Sequence, residues 1–594
     1  MGRRHPAQSM AAAALLLLAL APSPARARVA SSASRKPPKL AVLIVVDQMP
    51  ADTLDRFHAF FGERGFRRLE SEGRYFKGAR YAHQTTLTGP SHTVLGTGTY
   101  GFMSGIVANQ WFDRATGRAV NCAYGPWKPG EKGTCSLSGW SAVPADAPRV
   151  GNPCNLLDPS LADRMKRTFP GARVVGVAIK DRSAILTTGK TADAAYWMDT
   201  LPDGAPSFVC SDFYPACSGS ALAYSKEQGL TEKPGDPETM TLFKLHPDWR
   251  SWECSLPSCE IQCPDDVAAT HVDEFGMGKS FPHKVTDGRA LQFTPYGNDL
   301  LEGMAERVIE AHGLGKNPKG QPDLLVVGFS STDYYGHMFG PDSCEVADGM
   351  KRLDATIGRF LDFLIKRLGR ESLLVALTAD HGVTPNVKVL LKRGIPAGRL
   401  DLSDQRSVRV TRIGELPELR QRIEYELARF LGIKEDSSMP LSEALVRAWR
   451  DPMLYLNTDR IPASSLPLVR GWLKNYLLGV EGVREAYTYD EIVRGEVSTP
   501  VRLSSRPERM GDLTLVMQPG WVELDEDGCV THGQPYDADA RVPLLFWGRG
   551  VEPGADTSPV DMTRVASTLS AALGLDLGGL SDPAPLALRG APIK

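Results

Sequence analysis

The chain has 594 residues, 42% of them hydrophobic and 23% charged, with 68 Lys and Arg against 70 Asp and Glu for a formal net charge of −2. This near-neutral balance gives no basic surface of the kind a dedicated nucleic-acid partner needs. The composition is that of a large globular protein, long enough for two to four domains or for one large α/β domain carrying insertions.

Residues 1–27 read as a cleaved export signal: Arg3 and Arg4 open it, residues 10–21 are an apolar run, and Ala25-Arg26-Ala27 ends it in the small-x-small manner. The run is short of the ~20 residues a spanning helix needs, so a retained anchor is the weaker reading, and no later segment approaches that length. No Cys follows the run to take a lipid, and Arg3-Arg4 lacks the context of a twin-arginine signal. Loss of Arg3, Arg4 and Arg26 moves the net charge from −2 to −5. The expected location is periplasmic or secreted, with no stable membrane anchor. Residues 28–38 form a linker. The ten Cys that follow, an even number in an exported chain, favour disulfides. Cys210, Cys217, Cys254, Cys259 and Cys263 cluster and are expected to pair locally. A zinc knuckle is the alternative, but C-x4-C-x3-C is not a usual ligand spacing.

Five nearly continuous apolar runs follow in chain order: KLAVLIVVD (39–47), ARVVGVAIK (172–180), PDLLVVGFSSTD (322–333), SLLVALTADHG (372–382) and VPLLFWG (542–548). Such runs fit strands covered on both faces, as in a parallel sheet. Residues 160–169, 297–313 and 347–369 carry helical periodicity between them. The alternation predicts an α/β fold with a doubly wound, mostly parallel sheet and helices on both faces, whose ligands sit beyond the carboxyl ends of the strands.

Those ends carry chemistry. Asp47 closes the first run, Lys180 and Arg182 follow the second, Asp333 and His337 the third, and Asp380-His381 ends the fourth. One such Asp is usually a helix cap or turn residue. Four strand ends delivering charged or imidazole groups to one edge are not explained that way. With the later His532 the set contains three carboxylates and three imidazoles, a mixture that suits zinc better than the oxygen-only shells of magnesium or calcium. Six ligands exceed one open catalytic zinc, so two zinc ions are expected, a pair able to clamp the attacking and leaving oxygens of a displacement at phosphorus. The stretch TLTGPSHTVL (86–95) supplies a nucleophile: Pro90 favours a helix start, which places Thr88 at a helix N-terminus where amides and dipole attract a phosphate. A threonine hydroxyl is a poor nucleophile unless a metal lowers its pKa. Thr85, Thr86 and Ser91 are competing candidates.

The arrangement resembles the alkaline phosphatase superfamily, and within it the bacterial threonine-nucleophile alkaline phosphatases, which are related to the type I phosphodiesterase/nucleotide pyrophosphatases. TGPSH matches T-x-P-x-H, GIVAN matches G-I-x-x-N, STDYYGH matches D-x-x-x-H, and TADHG matches D-H-G. The resemblance implies that Thr88 is the nucleophile and that Asn109 contacts a phosphoryl oxygen. Asp47, Asp380 and His381 would hold one zinc, with Thr88 as a further ligand. Asp333, His337 and His532 would hold the leaving-group zinc. Lys180 and Arg182 match the K-x-R pair through which the monoesterases reach phosphoryl oxygens. Sulfatases of the superfamily need Cys or Ser in C/S-x-P-x-R, which this chain lacks. Members with a third, magnesium, site carry Glu five residues before the D-x-x-x-H Asp; Gly328 stands there, so a third metal is not expected. YGFMSGI replaces the usual Y-P-x-x-H-G-I, with Gly101 for Pro and Ser104 for His.

The expected activity is therefore that of a secreted two-zinc alkaline phosphatase hydrolysing small phosphate monoesters through a phosphothreonine. A phosphodiesterase/nucleotide pyrophosphatase with the same core is the alternative, and a non-catalytic phosphate-binding protein is a more distant one. The catalytic domain would span 39–594, with a Cys-rich insertion at about 191–282 and a second insertion at about 387–528. Natural substrate, oligomeric state and disulfide pairing are not legible.

Overall fold

In chain order, a computed structural model contains strands β1 (Leu40–Val46), β2 (Arg74–Arg80), β3 (Val174–Ala178), β4 (Ala194–Thr200), β5 (Pro206–Cys210), β6 (Asp323–Phe329), β7 (Leu373–Thr378), β8 (Val446–Arg450), β9 (Met453–Leu456), β10 (Val483–Thr488), β11 (Leu513–Met517), β12 (Leu544–Gly548) and β13 (Gly554–Asp561). The structure describes residues 36–128, 130–136, 151–201, 205–217, 219–230, 249–257, 276–285, 288–400, 412–434, 436–450, 452–523, 530–575 and 583–589. The expected signal segment, Cys259, Cys263 and Cys529 lie outside these residues.

Nine strands make the central sheet, in the order β13-β2-β12-β7-β1-β6-β3-β4-β5. β1 lies at its middle, parallel to β6 on one side (Leu40 opposite Asp323, Val46 opposite Phe329) and to β7 on the other (Leu40 opposite Leu373). All seven β1 residues are buried, as a Val/Leu/Ile strand between two helical layers must be. β3 is parallel to β6, and β4 to β3. All five apolar runs form strands of this sheet. The last of them, β12, runs antiparallel to β7 rather than parallel. Apolar periodicity reports burial and not direction, so the run alone could not distinguish the two. Residues 194–210, assigned from sequence to the Cys-rich insertion, instead supply β4 and the antiparallel edge strand β5 of the central sheet.

The helices used below are α1 (Thr88–Thr97), α2 (Asp181–Thr188), α3 (Pro295–His312), α4 (Ser331–Phe339), α5 (Cys344–Leu368), α6 (Glu418–Leu431) and α7 (Leu466–Leu478). α3 starts on Pro295 and stops at left-handed Gly313, whereas Ser343 caps α5 through the Val346 amide. Within the second expected insertion, β8, β9, β11 and β10 form a separate four-stranded antiparallel sheet. It packs with α6 and α7 around a core of its own that includes Ile423, Trp449, Leu473 and Leu515. Cys135 and Cys154 form a disulfide outside the expected cluster, and Cys254 is also disulfide-bonded. Among the described residues, no helix is long and apolar enough to cross a membrane.

Candidate active site

The carboxyl ends of β1, β3, β6 and β7 deliver Asp47, Lys180, Asp333 and Asp380-His381 to one place, because parallel neighbours end level with one another. Lys180 Nζ lies 2.9 Å from Asp47 Oδ2, 2.5 Å from Asp333 Oδ2 and 3.4 Å from Thr88 Oγ1. Asp333, His337 and His532 offer ligand atoms within 4.8 Å of one another, and so do Asp47, Asp333 and His381. Asp380 Oδ2 is 3.3 Å from His381 Nε2. The imidazoles of His381 and His532 stack with centroids 3.5 Å apart, so the two groups adjoin.

The three histidines share one arrangement. His337 Nδ1 lies 2.8 Å from Val530 O, His381 Nδ1 3.0 Å from Gly382 O, and His532 Nδ1 2.8 Å from Thr86 O. A carbonyl only accepts, so each Nδ1 carries the hydrogen, and a neutral ring then turns its Nε2 lone pair outward. Those lone pairs face carboxylate oxygens: His337 and His532 point at Asp333 Oδ1 from 3.4 and 3.5 Å, and His381 points at Asp47 Oδ1 from 3.5 Å. Burial lowers the His381 pKa to about 3, which keeps that ring neutral. Asp47 Oδ1 and His381 Nε2 are both buried with no hydrogen-bond partner. Acceptors aimed at acceptors, with carbonyls fixing the far nitrogens, are what a metal ion between them requires.

Charge points the same way. Burial, followed by repulsion from Asp333 and Asp380, pushes Asp47 above the usual carboxylate range. Burial also disfavours the charged forms of Asp333 and Asp380, but Lys180 and His337 hold the first low, and His381 and His92 hold the second low. For Lys180, burial opposes the charge and Asp333 and Asp47 outweigh it, raising the pKa. Ionising all three buried carboxylates beside Lys180 would leave two uncompensated negative units, a cost that divalent cations would offset.

Thr88 is the first residue of α1. Its competitors are engaged elsewhere: Thr86 Oγ1 donates to Gln534 O (2.9 Å), Thr85 Oγ1 to Ser504 Oγ (3.2 Å), and Ser91 Oγ pairs with His83 Nε2 (3.3 Å). The Gly89 amide donates to Asn109 Oδ1 at 2.7 Å, which orients the carboxamide so that its NH2 is the end left to meet a ligand. A Cβ on Gly89 would lie 2.7 Å from Cys122 Sγ and 3.0 Å from Asn109 Oδ1, so this close approach demands glycine. Arg182, in the first turn of α2, is flanked by Asp181 at 3.7 Å. Beside it and Lys180 opens a cavity of about 240 Å³ that Tyr124, Trp197 and Tyr334 also line. At Gly328 a Cβ would sit 2.9 Å from Ala178 Cβ, a close approach between β6 and β3.

Several positioning residues were not recognised from sequence. Thr332 Oγ1 donates to Asp47 O (2.5 Å), and Asp539 accepts from the Gly533 and Gln534 amides (3.0 and 2.9 Å) and from Thr384 Oγ1 (2.8 Å), tying the His532 turn to the loop after His381. His92, inside the quoted TGPSH, has Nδ1 2.9 Å from Thr88 O and 3.3 Å from Asp380 Oδ2. Gln48 touches both Asp380 and Asp333. The His92 motif was a usable signal; Gln48 and Asp539 offered none.

The family model described as type I phosphodiesterase / nucleotide pyrophosphatase matches residues 41–535. The chain belongs to that family. Alkaline phosphatase PhoV of Synechococcus elongatus is 30% identical over 551 residues, 90% of each chain. A Myroides odoratus protein named calcium-transporting ATPase is 28% identical over 93% of this chain and 95% of its own. The crystal structure of wild-type alkaline phosphatase PafA superposes with a TM-score of 0.75 at 24% identity, covering 94% of this chain and 99% of that one, and shows the shared fold. The chain is an enzyme of the alkaline phosphatase superfamily, of the threonine-nucleophile type.

Proposed function

We propose that this alkaline phosphatase is an exported two-zinc phosphomonoesterase acting through a phosphothreonine at Thr88. The observation that carries the reading is the convergence of three outward Nε2 atoms, three buried carboxylates, Lys180 and the Thr88 hydroxyl on one pocket. One zinc would be held by Asp47, Asp380, His381 and Thr88, the other by Asp333, His337 and His532. When bound, the pair supplies Lewis-acid charge for the entering and departing oxygens. Thr88 Oγ1 gives its proton to solvent and attacks phosphorus; the Oγ–P bond forms as the ester P–O bond breaks, and the leaving oxygen takes a proton from water as the alcohol departs. Water then cleaves the phosphothreonine, releasing phosphate and restoring Thr88. Asn109, Lys180 and Arg182 hold the non-bridging oxygens, and the N-terminus of α1 adds its dipole.

Charge supports a monoester. Lys180 beside Thr88 and Arg182 beside the cavity are fixed cations, and a monoester, with one charge more than a diester, gains more from them. The phosphodiesterase reading rests on the family model's description. Export rests on residues 1–27.

The test is Thr88→Ala against wild type, with zinc content and rates on matched aryl phosphate mono- and diesters. The variant should retain about two zinc ions and lose most monoesterase turnover, and wild type should give an acid-stable label on Thr88 from radioactive phosphate ester. Full activity of Thr88→Ala, or wild-type protein active without a transition metal, would overturn the proposal.

A further inference from the structure

Gln48 is the one non-glycine residue among those described with a positive φ, at 58°, and it is 4% exposed. Side-chain sterics disfavour that region, and glycine or asparagine usually fills it. The left-handed turn at Gln48 has a visible result. It sends the Gln48 amide to Asp380 Oδ1 (3.2 Å) and turns the side chain beneath α4, where Nε2 donates to Asp333 Oδ1 (3.1 Å). α4 admits the side chain only because residue 336 is glycine: a Cβ there would lie 2.0 Å from Gln48 Oε1. One residue thus grips a carboxylate from each candidate metal set. Asparagine would suit the backbone better but is a methylene shorter, and glutamate would turn an acceptor toward Asp333.

We propose that Gln48 is a positioning residue that serves both metal sets, its side chain orienting Asp333 for the ion shared with His337 and His532 while its main chain orients Asp380. The proposal rests on the two-zinc reading. It requires that the halves of Gln48 be separable. Gln48→Gly keeps the amide donated to Asp380, relieves the left-handed backbone and removes the bond to Asp333; Gln48→Asn keeps a carboxamide that falls short of it.

The experiment is stepwise zinc binding by metal-stripped full-length protein against a chromophoric chelator, with thermal melts of the stripped proteins. Wild type should take up two zinc ions. Both variants should bind one of them on the order of ten- to a hundredfold more weakly, the usual effect of losing a ligand's supporting hydrogen bond, and hold the other as wild type does. Thermal melts of the stripped proteins should show both variants still folded at the temperature of the zinc titration. Two ions bound as tightly as in wild type, or equal weakening of both, would each overturn the positioning role. A wild-type chain that takes up fewer than two zinc ions would instead defeat the reading beneath it, and the inference with it.

Discussion

Replacing Lys180 by Ala separates a pocket matched to a monoester dianion from one indifferent to ester number. The ammonium is 3.4 Å from Thr88 Oγ1, so a non-bridging oxygen on a phosphorus within attack distance of Thr88 can come within about 4–5 Å of Nζ. At an effective dielectric of about 20, one unit charge over that distance is worth about 3–4 kcal/mol. A charge-assisted hydrogen bond read by mutation gives about 1.5–3 kcal/mol, and we take that lower range because water refills the space. The monoester, with one charge more than the diester, should therefore lose kcat/KM by roughly 10- to 100-fold more than the diester does. The assay is kcat/KM on matched aryl mono- and diesters at saturating zinc, with metal content measured in parallel because Lys180 also balances Asp47 and Asp333. Equal losses on the two substrates at unchanged metal content would refute the reasoning and leave Lys180 a general support of the pocket. A wild-type preference for diesters would favour the phosphodiesterase reading.

Burial lowers the His83 pKa to about 3. A depressed folded-state value contributes stability that is complete above the unfolded value of about 6.5 and is lost as pH falls from there toward 3, so this one group should remove about 2 kcal/mol between pH 7 and pH 5. Urea unfolding of His83→Gln should show a pH 7-to-5 drop smaller than wild type by that amount; parallel drops would mean that His83 titrates alike in the folded and unfolded chain. Gly89→Ala should cost about 1–3 kcal/mol by overpacking against Cys122, and Cys122→Ala in the same chain should recover most of it in thermal melts. No recovery would place the clash elsewhere. Serine at Cys135 and Cys154, which lie 19 residues apart, should lower unfolding stability by about 3 kcal/mol; an unchanged denaturation midpoint would contradict a closed loop.

The site was legible where chemistry coincides with strand ends. Asp47, Lys180, Asp333 and Asp380 each follow a Val/Leu-rich run, and parallel strands bring such ends together. The margin of the sheet was less legible: β13 at the edge and β2 beside it are only partly buried, so no continuous apolar run announces them. β4 and β5 were hidden in a segment read through its cysteines. The separate sheet of β8 to β11 depends on pairing between strands far apart in the chain, such as Met453 with Thr514, which periodicity does not encode. Gln48 and Asp539 act through geometry alone. A glutamine after an aspartate, or an aspartate in a turn, looks the same whether or not it supports a ligand.

The hydrogen bonds between residues 86 and 532–534 also set when the enzyme can become active. Thr86 receives the His532 ring and returns its hydroxyl to Gln534, so the segment leading into Thr88 and the last metal-ligand candidate hold one another. Asp47 is made well before His532, with the separate sheet of β8 to β11 synthesised between them. A growing chain reaches the ribosome exit with its nucleophile long before its final imidazole. On the reading proposed above, the site would be complete only once the chain through residue 534 has folded back onto residue 86.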